Sequence, residues 1–146
     1  MKPHFDHLTP LAHAAQNRCF GCGEANPQGL QLEFLLAEDG TVVCPAVIPE
    51  FFEGHPGFLH GGIIATLLDE TMSKAVRARG ITAMTRHMEV DYKQPVPSRV
   101  QIRMEGRIVR DEGRKHWVEA AIFDGEGHAL AQGKGLFIEA RPTRIA

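Results

Sequence analysis

FFEGHPGFLHGGIIATLLDETMSKAVRARG, residues 51–80, is the stretch on which the fold turns. Its opening, FFEGHPGFL, is loop chemistry rich in Gly and Pro. The spacing then predicts one long helix from about His60 to Arg79, closed by Gly80, a residue suited to the left-handed position that ends a helix. The first half of that helix, GGIIATLLDETM, is apolar almost all the way round. A surface helix shows one apolar stripe and one polar face, so this pattern predicts a central, mostly buried helix. Only the last turns, with Lys74, Arg77 and Arg79, read as wet, and their charges suit the negative end of the helix dipole.

C-terminal to this segment the hydrophobic period changes to two. AMTRHMEVDYKQPVP, RVQIRMEGRIVRDEG, RKHWVEAAIFDGEG and HALAQGKGLFIEA read as four long antiparallel strands, with Asp111-Glu112-Gly113 and Asp124-Gly125-Glu126-Gly127 as turns. Val100, Ile102, Met104, Gly106 and Ile108 alternate with polar residues, as expected of a sheet covered on one face. On the N-terminal side, QLEFLLAEDG predicts a strand with Leu30, Leu32 and Phe34 on one face. TVVCPAVIP follows as its hairpin partner, and Pro45 there argues for an edge or a bulge. CFGCGEANPQGL is a loop, and residues 1–18 form a polar N-terminal arm with an amphipathic turn around Leu8, Leu11 and Ala15. The expected architecture is α+β. Residues 19–146 make a single domain, a curved antiparallel sheet of five to six strands wrapped around one helix, because that arrangement buries both elements with short connections.

Composition narrows the function classes. With 146 residues the chain is long enough for one real core and short for two. A net charge of -2 gives no reason to expect a nucleic-acid or membrane-surface binder. Three cysteines do not make a closed disulfide framework, and the first residues carry no apolar run of signal-peptide or spanning length. A cytoplasmic location is therefore expected.

FFEGHPGFLHGGIIATLLDETM followed by TRHMEVDYKQPVP resembles the hotdog-fold thioesterases of the phenylacetate-pathway type, and more closely the branch acting on medium- and long-chain acyl-CoAs. CFGCGEANPQGLQLEF is similar to a segment ahead of the domain in part of that family, so the likeness covers residues 19–139. Its most telling part is HGG followed by an acid nine residues after the His. The resemblance implies hydrolysis of acyl-CoA to a carboxylic acid and free CoA, with no metal and no redox cofactor, in a homodimer or dimer of dimers. It places an oxyanion donor at Gly61, with His60 helping to hold the thioester. It assigns the catalytic carboxylate to Asp69, supplied by the partner subunit's helix, as nucleophile or as base. Thr85 falls where the family carries a Ser or Thr that positions water. Some relatives place Asn where this chain has Gly54; either His55 next to it partly substitutes or that contact is absent.

The chemistry accounts for the spacing. A thioester carbonyl needs preorganised N–H donors for its developing oxyanion, and the first amides of a helix have no intrahelical partners. Glycines at 61 and 62 let a carbonyl approach that backbone closely. Glu70 adjoins Asp69, but neighbouring helical residues point about 100° apart, so only one of the two acids faces the site, and Asp69 is preferred. Arg86 is one of eight basic strand residues of the C-terminal half, from which a CoA phosphate clamp would be drawn. The alternative is that they are solvated strand faces.

Other readings stand beside these. Asp69 and Glu70 could be a surface pair, although the flanking IIATLL argues that a carboxylate there has a partner or a task. The Gly61-Gly62 pair could be a simple loop-to-helix junction. Cys19 and Cys22 have zinc-ligand or redox spacing, but no second pair completes a site, so the segment reads as a structural cap. A hotdog hydratase or dehydratase would want a His–acid pair for proton transfer, and His60 with Asp69 fits that poorly beside HGG donors. A non-catalytic acyl-CoA-binding module is the rival from a different class.

Overall fold

The computed structural model describes residues 7–12 and 16–141; Ala15 of the arm and the last five residues of the expected domain lie outside them. The four period-two segments form the four long strands: β4 (Ala83–Tyr92), β5 (Gln101–Glu112), β6 (Lys115–Phe123) and β7 (Ala129–Glu139). Ahead of the helix lie β1 (Thr9–Pro10), β2 (Leu35–Leu36) and β3 (Val42–Val47). All pairings are antiparallel in one seven-stranded sheet of order β1-β2-β3-β5-β6-β7-β4. The seventh strand, beyond the five or six expected, is β1: two residues of the polar arm add to the edge at β2.

Helix α1 (Gly61–Arg77) lies on the sheet and ends as its C-terminal signals indicate, with Gly80 at φ 77° and its amide donating to the Arg77 carbonyl. Its buried residues are Ile64, Leu67, Leu68, Thr71, Met72, Ala75 and Val76. Their three- and four-residue spacing is one helical stripe, not the all-round burial that the apolar sequence suggested. A sheet can cover only one side of a helix. The other side, with Ile63, Ala65, Thr66, Asp69 and Glu70, stays half-buried within one chain.

The helix seats on a row of missing side chains. Gly106 of β5 pairs in register with Ala120 of β6, and Ala120 with Gly133 of β7, so three small residues run side by side across the sheet. A Cβ on Gly106 would stand 2.8 Å from Thr71 Cγ2 and 3.2 Å from the Thr71 carbonyl oxygen, and one on Gly133 would stand 3.3 Å from Leu68 Cβ. Around this groove Val42, Ile102, Met104, Val118, Ile122 and Phe137 complete the core.

The segment read as the first long strand alternates as expected, with Leu32 and Phe34 buried, but it joins the sheet only at Leu35 and Leu36. Gln31 sits at φ 51°, and the backbone of residues 30–34 bonds instead to the N-terminal segment: Leu30 N–H to Phe20 O, Leu32 N–H to Gly21 O, and Leu11 N–H to Phe34 O. Pro45 occupies the expected edge, since β2 faces only Val42 and Val43 and leaves the rest of that side of β3 open. At the opposite end, β4 is a ten-residue edge strand with Met84, Thr85 and Tyr92 exposed. Among the described residues no helix is long and apolar enough to cross a membrane.

Replacing Gly106 by Ala is expected to lower stability by roughly 1–3 kcal/mol, through overpacking against Thr71. Gly125→Ala, where an added methyl meets nothing within 4 Å, should stay within about 0.5 kcal/mol of the parent. Urea denaturation of the pair checks this; equal midpoints would show that the helix is free to move off the sheet.

Candidate active site

The start of α1 is braced by the loop before it. The amide of Gly54 bonds to the Phe58 carbonyl, that of Phe58 to His55 O, that of Leu59 to Val96 O and that of His60 to Phe52 O. Ser98 Oγ donates to the Glu53 carboxylate and holds that carboxyl below its ordinary range. Gly54 packs so closely on His60 that a Cβ would lie 3.2 Å from the His60 Cα. An Asn side chain at 54 would meet that backbone. His55 is exposed in this loop, and Asp69 lies two turns further along the helix.

His60 is the N-cap. Its backbone is extended, its carbonyl accepts from the amides of Ile63 and Ile64, and its Nδ1 accepts from the Gly62 amide at 2.9 Å. An Nδ1 that accepts leaves the proton of a neutral imidazole on Nε2, so the ring presents an N–H outward. The glycine pair is thereby divided. The Gly62 amide is spent on the cap, and the exposed Gly61 amide has no hydrogen-bond partner among the described residues. Tyr92 Oη donates to the Gly61 carbonyl at 2.8 Å, and its ring lies alongside that glycine. Sequence reasoning passed over Tyr92. The available signal was a single tyrosine ending the β4 motif whose threonine had been singled out.

Further along α1 the two neighbouring acids separate. Asp69 Oδ1 accepts from Thr85 Oγ1 at 2.6 Å, so the structure joins the predicted carboxylate to the predicted hydroxyl. Glu70 points elsewhere: its carboxylate lies 3.6 and 3.8 Å from Cys19 Sγ and 4.0 Å from Lys74 Nζ. Burial, and then the Glu70 carboxylate, push the Cys22 thiol up to about 11. Glu70 therefore belongs to the cap segment and stands apart from the Asp69–Thr85 pair. Arg86 is exposed at the point where the β4–β7 register shifts between Thr85 and His87, next to Thr85 and without an ion pair among the described residues. Several of the other bases are taken up locally: Arg103 by Glu105 at 2.7 Å, Arg110 by Glu112 at 2.6 Å, and Arg114, in the β5–β6 turn, by the Glu139 carbonyl.

Gly61 and Asp69 sit eight residues apart on one helix, about 12 Å along its axis. A single carbonyl cannot touch both within one chain.

Residues 56–131 match the thioesterase superfamily. The acyl-coenzyme A thioesterase THEM4 of Rattus norvegicus is 31% identical over 121 residues, which are 80% of this chain and 52% of that protein. The Xenopus laevis THEM4 is 32% identical over 69% of this chain and 46% of its own length, so the chain spans about half the length of the curated relatives it matches. A crystal structure of a thioesterase superfamily protein, 23% identical, superposes with a TM-score of 0.80 over 88% of this chain and 68% of that one, and supports the fold. A Bacillus halodurans protein solved with CoA is 28% identical with a TM-score of 0.69, over 78% of this chain and 77% of that one. The sheet wrapped on one helix is the hotdog fold, and with the superfamily match running from α1 through β4, β5 and β6 into the start of β7, the chain belongs to the thioesterase superfamily.

Proposed function

We propose that the protein hydrolyses acyl-CoA thioesters to a free carboxylic acid and CoA, in a site shared between two copies of the chain. The observation that carries this reading is the Asp69–Thr85 hydrogen bond on the same helix whose first amide, at Gly61, has no partner among the described residues. The relatives named acyl-coenzyme A thioesterase and the neighbour solved with CoA support the substrate class.

In this reading the thioester oxygen accepts from the Gly61 amide, aided by the positive end of the helix dipole. His60 offers its outward Nε2–H beside it. Tyr92, bonded to the Gly61 carbonyl, fixes the orientation of the first helical turn. The Asp69 of a second copy approaches the carbonyl carbon from the other side. Thr85 already occupies Oδ1, so Oδ2 remains to take a proton from water. The water oxygen adds to the carbonyl, the tetrahedral intermediate collapses, and the carbon–sulfur bond breaks. The proton held by Asp69 then passes to the departing CoA sulfur. This geometry favours the general-base role over direct attack. The half-buried face of α1 and the open edge of β4 are the surfaces on which a second copy would complete both the core and the site. Arg86, exposed beside Thr85, is the base best placed to meet a CoA phosphate.

Free-thiol release from a panel of acyl-CoAs tests the activity. Asp69→Asn should lower kcat by about 10²–10⁴-fold while the protein still folds. Thr85→Val, which removes only the hydroxyl, should cost roughly 10–100-fold, the worth of one hydrogen bond to a charged group. Binding without turnover on every acyl-CoA would replace the enzyme with an acyl-CoA-binding module.

Shared sites make a separate prediction. Gly61→Pro deletes one N–H at the first helical position, where Pro is tolerated and the preceding His60 is already extended at ψ 140°. It should cost about 10²–10³-fold in kcat. Refolding Gly61→Pro together with Asp69→Asn should then restore activity, because each mixed dimer holds one intact site. No recovery from the mixture would place both groups in one chain.

A further inference from the structure

The cap segment carries a cluster that the proposed reaction does not use. Cys19 Sγ, Cys22 Sγ and one Glu70 carboxylate oxygen all lie within 4.8 Å of one another. In the sequence the Cys-Phe-Gly-Cys spacing lacked further ligands; the fold supplies one from the middle of α1, 51 residues after Cys19.

From this convergence we propose that Cys19, Cys22 and Glu70 form a binding site for a thiolate-preferring divalent cation, Zn²⁺ above all, which clamps the N-terminal segment to α1. The donor set is right for zinc: two sulfurs and one carboxylate, with the fourth tetrahedral position left for water on the partly exposed side of Cys19. The separation of Cys19 from Glu70 fits as well. Zn–S bonds of about 2.3 Å and a Zn–O bond of about 2.0 Å at tetrahedral angles separate S and O by about 3.5 Å. Cys19 Sγ lies 3.6 Å from Glu70 Oε2.

The surroundings suit an ion. Two thiolates and a carboxylate around Zn²⁺ leave one negative charge, and Lys74, 4.0 Å from Glu70, balances it. Asn17 Nδ2 donates to Cys22 Sγ at 3.3 Å, and Asn17 Oδ1 accepts from the Cys19 amide. This is an outer shell that orients both sulfurs. Gly21, between the cysteines, presses its backbone on the carboxylate: a Cβ there would lie 2.7 Å from Glu70 Oε2. The loop is cut to let Glu70 reach the sulfurs. Binding would release the thiol protons and exchange weak S–H contacts for metal–ligand bonds.

The test uses the full-length wild-type chain and the metal alone. Protein purified without chelator is assayed for zinc, stripped under reducing conditions and titrated with Co²⁺ as a spectroscopic probe. The expected result is close to one zinc per chain and a near-ultraviolet thiolate-to-cobalt charge-transfer band. That band should be abolished in Cys22→Ser, and zinc affinity should fall by about tenfold or more in Glu70→Gln. Wild-type protein that gives no such band overturns the proposal even if it retains metal, because the Asp124, Glu126 and His128 group holds no sulfur. A band that survives unchanged in folded Cys22→Ser overturns it too.

Discussion

The close seating of α1 on the sheet is the constraint from which the rest follows. Gly106, Ala120 and Gly133 lie in register on three neighbouring strands and leave room for Leu68, Met72 and Thr71 to enter the sheet surface. Burial of the stripe from Ile64 to Val76 supplies the apolar contact, each large side chain contributing on the order of 1.5–3 kcal/mol. The same seating fixes which way the remaining faces of the helix look. Once Leu68 and Thr71 point down, Asp69 and Glu70 must lie on the flanks, about 100° apart.

Those flanks meet different neighbours. On one side β4 brings Thr85 to Asp69 and Tyr92 to the first turn, so a single edge strand touches both parts of the candidate site on the helix. On the other side the N-terminal segment brings Cys19, Cys22 and Asn17 to Glu70. The helix is thus core, candidate catalytic element and anchor for the cap at once. His60 turns its ring back onto Gly62, and the first amide, at Gly61, has no partner among the described residues.

The long strands and the helix were legible because their side chains repeat with clean periods of 2 and 3.6, and burial follows period. Two features misled. GGIIATLLDETM is apolar all round, yet one sheet covers only one side of it, so the remaining apolar residues are half-exposed in a single chain. Leu32 and Phe34 alternate like strand residues and are buried like them, yet the Leu32 amide bonds to Gly21 and the Phe34 carbonyl to the Leu11 amide rather than to the sheet. Alternation reports which side of the chain is buried, not which neighbour takes the hydrogen bonds.

By itself the sequence determined the order of the helix and of every strand but β1, the helix start at HGG, the helix end near Gly80, and the presence of two adjacent acids with a threonine downstream. These are local matters of period, capping and backbone freedom. Only the tertiary structure decided that Asp69 rather than Glu70 meets Thr85, that Gly61 rather than Gly62 keeps its amide, and that Tyr92 attends the helix start. It also decided that Glu70 belongs with the cysteine pair. Each of these rests on side chains from segments distant in the chain, whose facing depends on register and on the rotation of the helix about its axis. A linear pattern leaves that rotation open, and packing against the small-residue row closes it.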